Sequence, residues 1–286
     1  MNMPQITRAI IPVAGWGSRR LPITKVIEKS MLPIGNRPLV DYIVQDCIEA
    51  GIRDIYFVVS EADSQVERYY STNEKLESYL RAQNKTAQLA LVQPPANVQF
   101  HFVVQDVEGK YGTSVPVAQV TQIIGTNEPV LVVMGDDFLF TADKTQPSDI
   151  QRLLNEYSLD GEAAIIGVEL ANDEDVSKYG VLQYHKDNGR FEGIVEKPAA
   201  DQAPSRLINV SKYVLTPAFL KKIAEHVNIV NDGGEYYITE PISWAISEGE
   251  AMRVVSAQGQ YLDGGSVEGW LHANNVVCKA EGVKPA

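Results

Sequence analysis

Cysteine is scarce in this chain: among 286 residues only Cys47 and Cys278 carry a thiol. They stand far apart, in no metal-ligand spacing, and each falls in an apolar helical pattern, so reduced core thiols are expected. Histidine is equally thin. His101, His185, His226 and His272 are scattered singly, and no function is assigned to them. No apolar run reaches the length that crosses a bilayer. The opening MNMPQITRAIIPVAG passes straight into a strand and lacks a signal-peptide apolar region with a cleavage site. A cytoplasmic protein without a membrane partner is expected. Cations are in deficit too, 25 Lys and Arg against 37 Asp and Glu, for a net charge of −12. A pI near 4.8 argues against nonspecific nucleic-acid binding, which basic surface drives, yet leaves room for a local basic pocket. Two generic nucleotide motifs are missing as well. No G-x-x-x-x-G-K-[ST] occurs, and a dinucleotide fingerprint fails because Arg20 stands where its third glycine belongs. There is no internal repeat.

What is present centres on residues 10–33, IIPVAGWGSRRLPITKVIEKSMLP. Ile10, Ile11, Val13 and Ala14 mark a buried strand, which breaks into Gly15-Trp16-Gly17-Ser18 and then meets four cations, Arg19, Arg20, Lys25 and Lys29. Glycines let backbone N–H groups approach a phosphate, and Arg and Lys neutralise its charge. Four cations together in so acidic a chain are hard to read as a solvated face, although Arg20 alone still fits an exposed surface position.

With 44% hydrophobic and 22% charged residues, a sizeable core is expected. Residues 38–50 place Leu39, Tyr42, Ile43, Cys47 and Ile48 at helical spacing, with Pro38 suited to the first helical position and Gly51 to the stop. Residues 55–59, 100–104 and 130–134 read as further buried strands, 61–84 as two surface helices, and Ser114–Ile124 as a helix after a loop at 106–113. Strands alternating with helices predict a mostly parallel α/β sheet, with ligands beyond the strands' carboxyl ends. The Gly15 loop, Gln105 with Gly112, and Asp136 occupy three such ends. In the second half, 163–168, 181–184, 191–195, Leu207–Leu215 and Met252–Ser256 read as strands, 218–225 and 236–247 as helices, 199–205 as a polar loop, and 267–279 as a terminal helix. These look like mixed strands capping the first half. The apolar side of the terminal helix (Trp270, Leu271, Val276, Val277) fits either a second subunit or its own domain.

Gly15, Gly17, Arg19, Leu21-Pro22, Thr24-Lys25, Lys29 and Met31-Leu32-Pro33 resemble the signature of nucleotidyltransferases that make nucleotide sugars, G-x-G-T-R-x-L-P-x-T-K-x-x-P-K-x-M-L-P. The resemblance runs along essentially the whole chain, and Ala14 fits the bacterial UTP–glucose-1-phosphate uridylyltransferase branch. It implies a Rossmann-like, mostly parallel mixed sheet flanked by helices (the nucleotide-diphospho-sugar transferase fold) with a smaller β-rich sugar-binding part. One domain would cover 1–286, with a nucleotide-binding half at 1–140, a sugar-phosphate half at 141–265 and a C-terminal helix at 266–286. The implied reaction is in-line attack of glucose 1-phosphate on the α-phosphorus of UTP, giving UDP-glucose and pyrophosphate. Such chemistry asks the protein for positioning and charge neutralisation.

The resemblance carries residue by residue. Arg19 matches the arginine on the β- and γ-phosphates, and Lys29 the lysine that reaches the triphosphate and leaving group. Ala14, Gly15, Gly17, Ser18 and Lys25 match the nucleotide loop, and Gln105 and Gly112 the uracil-recognising positions. Asp136 and Asp263 match the Mg²⁺ carboxylates, with Asp137 expected as a turn or cap residue beside them. Gly180 in Tyr179-Gly180-Val181, then Glu196-Lys197-Pro198 and Asn209, match the sugar-phosphate contacts. Relatives are usually homodimers or homotetramers. The chain departs from the pattern at Ser18 for threonine, Glu28 for proline, Ser30 for glutamate, Thr113-Ser114 for histidine-alanine and Ser211-Lys212 for glycine-arginine. Glu28 could weaken phosphate attraction or hold Lys29. Thymidylyl or cytidylyl transfer to another sugar 1-phosphate, and a silent nucleotide-sugar sensor, are the alternatives.

Overall fold

Ala9, Ile10 and Ile11 are completely buried, on a strand β1 (Arg8–Pro12) that neighbours flank on both sides. The structure, a computed structural model, describes residues 4–105, 109–143, 145–172, 174–229 and 233–283. The predicted loop at 106–113 therefore has its first three residues outside the described ones. After β1 come a small hairpin of β2 (Pro33–Ile34) and β3 (Arg37–Pro38), then α1 (Leu39–Glu49) and β4 (Asp54–Val59). Three helices, α2 (Gln65–Tyr70), α3 (Glu74–Ala82) and α4 (Thr86–Leu91), lead to β5 (Gln99–Val104), α5 (Ser114–Ile124) and β6 (Val130–Val133). The chain continues through β7 (Asp137–Phe140), α6 (Asp149–Asp160), β8 (Ala163–Glu169), β9 (Gly180–Tyr184), β10 (Phe191–Glu196) and β11 (Leu207–Leu215). It ends with α7 (Pro217–Asn228), α8 (Thr239–Ser247), β12 (Met252–Ser256), β13 (Gln260–Asp263) and α9 (Val267–Ala280).

β5, β4, β1 and β6 lie side by side and parallel, as the alternating strands and helices predict. β11 adds antiparallel to β6, β8 antiparallel to β11, and β12 parallel to β8. The β9–β10 hairpin joins β11 where Ile208 meets Val181. All nine strands form one sheet. The strands of the second half thus extend the first sheet through backbone hydrogen bonds instead of capping it. β7 and β13 pair separately.

Both faces of the sheet are covered, so period-two alternation sorts apolar side chains between two cores. Ala9, Ile11, Phe57, Leu131 and Val133 face one core with α1, α6 and α9. Ile10, Val58, Val130 and Val132 face the other with α5, α7 and α8. This is why those strands read as continuous apolar runs. Fully burying a side chain such as Phe57 stabilises the fold by about 1.5–3 kcal/mol.

The segments predicted at 114–124, 207–215 and 252–256 match their elements end to end. Pro38 is the N-cap of α1 and not its first helical residue, and Gly51 stops the chain at φ 100°. α8 starts at Thr239, later than expected, because Tyr236 is tied by its backbone to Tyr111 and Ser114. α6 is a helix that the sequence reading does not predict, yet it carries ordinary signals: Ile150, Leu153, Leu154 and Tyr157 buried, a Ser148 cap and left-handed Gly161. Cys47 is fully buried and Cys278 half-buried, both free thiols. α9 packs chiefly on its own domain: Val277 is buried, Trp270 donates to the Pro33 carbonyl at 2.8 Å, and Leu271 stays 50% exposed.

Within β11 the register shifts between Asn209 and Tyr213, and Ser211 there takes φ 52°. The Asn209 Oδ1 accepts from Ser211 N at 2.9 Å, which holds the bend. A left-handed backbone is one that glycine adopts with less strain than serine. Ser211→Gly should raise unfolding stability by about 0.5–1 kcal/mol, read from the urea midpoint, and an unchanged or lower midpoint would refute the strain.

Candidate active site

β1, β4, β5 and β6 end on the same side, and the loops that follow enclose a cleft of about 970 Å³. Its walls come from Val13 to Arg19, from Gln105 and Gly112, and from Met134 to Asp137. These are the strand ends singled out in the sequence. The loop after β1 is more ordered than a glycine turn suggests. It winds through three short 3-10 turns, Ser18–Arg20, Ile23–Lys25 and Lys29–Met31, with Gly17 in the left-handed region at φ 60° ahead of the first. Thr24 Oγ1 donates to the Gly17 carbonyl at 2.8 Å and closes the loop on itself.

Four charged groups meet at the mouth of this loop. Lys29 Nζ donates to Asp136 Oδ2. A methyl group on Gly265 would stand 2.8 Å from Asp263 Oδ1, 3.2 Å from Lys29 Nζ and 3.3 Å from Arg19 Nη2, so Asp263, Lys29 and Arg19 surround one point. Only glycine leaves that point clear. The Gly264 amide donates to the Asp136 carbonyl at 3.1 Å, which brings the two aspartates together although they are far apart in sequence. Asp263 accepts from the Gly265 amide at 2.7 Å and the Ser266 hydroxyl at 2.9 Å, which orient it. Arg19 is exposed and makes no ion pair among the described residues. Burial alone would raise the Asp136 carboxyl, but Lys29, backed by Lys212 and Arg19, outweighs it and holds the group below its ordinary value.

Asp137 behaves differently, and the expectation that it is a turn or cap residue is corrected. It opens β7, and the buried Lys212 ammonium, 2% exposed, donates to its Oδ1. Burial pushes its carboxyl up to about 6 against the pull of Lys212, with Asp136 adding to the rise. Lys212 also donates to the Val210 carbonyl at 3.0 Å. Breaking such a buried pair by deleting one partner costs about 3–5 kcal/mol, because the other charge is left without compensation.

Three other residues of the loop depart from what their sequence suggests. Arg20 is not a surface charge: it is 5% exposed, its Nη1 donates to the Ser266 carbonyl at 2.7 Å, and its guanidinium lies 5.0 Å from the Trp270 ring centre. It anchors the loop to α9. Glu28 does not hold Lys29. Its carboxylate accepts from the Gln65 amide at the start of α2, while Gln65 Oε1 accepts from the Glu28 amide at 2.9 Å and Gln65 Nε2 donates to the Val26 carbonyl at 2.7 Å. Lys25 is exposed and does not line the cleft.

On the opposite wall, Gln105 receives its position from its amide, which donates to the Val59 carbonyl at 2.8 Å. Gly112 has φ 120°, and a Cβ there would come within 2.5 Å of the Tyr236 nitrogen, so only glycine allows this approach. Thr113 and Ser114 serve structure: Thr113 Oγ1 accepts from Ile238 N at 2.9 Å, and Ser114 Oγ bonds His226 Nδ1 at 3.1 Å, whose Nε2 bonds Glu240 at 3.0 Å. Ser114 is completely buried, so this Ser-His-Glu chain cannot meet a substrate.

Gly180, Glu196, Lys197 and Asn209 do not line the cleft itself. Gly180 pairs with Glu196 across the β9–β10 ladder, and Lys197 takes φ 46° with its amide donating to the Tyr179 carbonyl at 3.0 Å. Asn209 Nδ2 donates to the Tyr213 hydroxyl at 2.9 Å. Ser211, which lines the cleft, lies between Asn209 and Tyr213 and links the two regions. Residues to which the sequence gives no site role include Ser211 and Glu235, both on the cleft wall, and Trp16, which lines it while 82% exposed. Nothing in the local pattern around Glu235 distinguishes it from the many surface glutamates. The described residues hold no group of three or more His, Cys, Asp or Glu side chains able to bind a metal, so a cation at Asp136 and Asp263 would complete its shell from ligand oxygens and water.

The Nucleotidyl transferase family profile matches residues 8–280. A UTP–glucose-1-phosphate uridylyltransferase of Bacillus subtilis (strain 168) is 32% identical over 273 residues, 94% of this chain and 90% of that protein. The solved structure of UTP-bound UGPase from Acinetobacter baumannii matches with a TM-score of 0.83 at 28% identity, over 95% of this chain and 93% of that one. A crystal structure of UDP-glucose pyrophosphorylase complexed with UDP-glucose matches with a TM-score of 0.78 at 29% identity, over 96% and 99% of the two chains.

The Glu28–Gln65 clasp makes a stability prediction. Glu28→Ala removes an acceptor from a part-buried amide at the head of α2 and should cost about 1 kcal/mol, seen as a lower urea midpoint. A wild-type midpoint would show that the clasp contributes nothing.

Proposed function

The chain belongs to the nucleotidyl transferase family, and on that premise we propose that it moves the uridylyl group of UTP onto glucose 1-phosphate, giving UDP-glucose and pyrophosphate. The observation that carries this reading is the meeting of Arg19, Lys29, Asp136 and Asp263 around Gly265, beside the glycine loop and opposite Gln105 and Gly112. The similarity to a UTP-bound and a UDP-glucose-bound relative supports it.

In this reading the amides of Gly15, Gly17 and Ser18 and the Arg19 guanidinium receive the triphosphate, while Gln105 and the backbone at Gly112 meet the uracil edge. Ala14 lies under the base. Lys25 is assigned only to the loop's approach, since it faces solvent. A phosphate oxygen of glucose 1-phosphate attacks the α-phosphorus as the bond to pyrophosphate breaks, and Lys29 stabilises the negative charge that gathers on the leaving group. Lys29 is held ready by Asp136 and would exchange that partner for a phosphate oxygen. Glu196 and Asn209 receive the sugar hydroxyls near Gly180, and Lys197 the sugar phosphate.

Asp136 and Asp263 fit Mg²⁺, which takes one or two carboxylates together with phosphate oxygens, and Asp136 is held ionised by its neighbours. When bound, the ion would offset charge on the reacting phosphate oxygens. We further propose a single domain divided between nucleotide and sugar phosphate, a cytoplasmic location that suits UTP and two free thiols, and a homodimer or homotetramer for which Leu271 is an open apolar contact.

A pyrophosphate-release assay across the common triphosphates and sugar 1-phosphates tests the reading. Turnover should be greatest with UTP and glucose 1-phosphate, whereas silence with every pair would refute enzyme activity. Arg19→Ala and Lys29→Ala should each lower kcat by about 100-fold or more with the fold intact, and a near-normal kcat would remove them from the chemistry. Lys197→Ala should act mainly by raising KM for the sugar phosphate, so an unchanged KM would contradict its assignment.

A further inference from the structure

Among the described residues, the acidic side chains on the cleft wall are Asp136, Asp137 and Glu235. The first two are each held by an ammonium, Lys29 and Lys212. Glu235 has no ion pair among the described residues. A carboxylate without a cation, in a cleft that receives a polyanion, repels phosphate. It is compatible with the site only if it faces a neutral part of the ligand rich in donors.

Its place narrows which part that is. A Cβ on Gly112 would lie 2.8 Å from Glu235 Cγ, so the glutamate stem packs against the glycine assigned to the base. The backbone fixes this contact, because Tyr236 N donates to the Tyr111 carbonyl and Ser114 N to the Tyr236 carbonyl, both at 2.9 Å. On its other side Glu235 neighbours the Tyr237 hydroxyl and pushes its pKa up, with Glu196 adding to the rise. Glu235 therefore lies between the base wall and the sugar-phosphate region, on the opposite side from the glycine loop. In a nucleotide sugar the group between base and phosphates is the ribose. A carboxylate with no cation on it has lone pairs free to accept from a vicinal diol.

We propose that Glu235, packed against Gly112, accepts a hydrogen bond from a ribose hydroxyl of the bound nucleotide and selects ribonucleotides over deoxyribonucleotides. This rests on the reading that the cleft binds a nucleoside triphosphate. The bond is made to an ionised acceptor, so losing either partner should change specificity by about tenfold or more.

The test is the ratio of kcat/KM for UTP to that for dUTP, in wild type, Glu235→Ala and Glu235→Gln, with thermal melting to check folding. Wild type should prefer UTP by about tenfold or more, Glu235→Ala should bring the ratio close to one, and Glu235→Gln, which keeps an acceptor oxygen, should fall between. A second arm compares glucose 1-phosphate with 2-deoxyglucose 1-phosphate. If only that ratio responds, the hydroxyl belongs to the hexose and the ribose assignment is overturned; if neither ratio moves, Glu235 reads no sugar at all. Wild-type silence with UTP would instead overturn the uridylyl-transfer reading, so the two failures are distinct.

Discussion

Two adjacent carboxylates at the end of β6, each held by an ammonium, are the constraint on which the site depends. Asp136 and Asp137 follow each other past the end of a buried strand, the first partly exposed and the second buried, and the buried one depends on its cation. Lys29 reaches Asp136 from the glycine loop, and Lys212 reaches Asp137 from β11. One loop and one antiparallel strand are thereby tied to the same point. The consequences for the two acids are opposite: Asp136 is kept below its ordinary value, whereas burial wins at Asp137 and raises it to about 6. The more exposed member of the pair faces the cleft, and the buried one joins the halves of the sheet.

The remaining architecture brings distant segments to that point. β13 pairs with β7 and delivers Asp263, while the glycine at 265 leaves room for Arg19 and Lys29 to approach it. Arg20 ties the loop to α9 through Ser266 and Trp270, and Glu28 ties it to α2 through Gln65. The loop is thus clamped from both sides and its functional cations face inward between the clamps. On the far wall, the segment from His226 to Glu240 supports the turn at Gly112 through Thr113, Ser114 and Tyr236. Thr113 and Ser114 are part of this support and hold the wall in shape.

Much of this architecture is legible in the order of residues alone. The alternation of apolar runs with helical patterns determines the parallel half of the sheet, because doubly covered strands must be apolar on both faces. The glycines and cations at residues 15–29 mark a phosphate loop, and the order of later motifs points to the family. Capping and stop residues mark helix ends at Gly51 and Gly125, and α6 shows that such signals are present even where the pattern of apolar residues predicts no helix.

Tertiary structure alone decides which charges work and which only hold. Four cations in one loop look alike in sequence, yet Arg20 is buried under α9, Lys25 faces solvent, and Arg19 and Lys29 converge on the aspartates. Glu28 beside Lys29 looks like its partner, but its carboxylate turns to an amide at the head of α2. Glu235 has no local signature, since its place on the cleft wall comes from packing against Gly112, more than a hundred residues away. Local composition and periodicity depend on neighbours in the chain and so can be read from it. The pairing of one charge with another depends on which strand ends the sheet brings together, and only the assembled fold contains that.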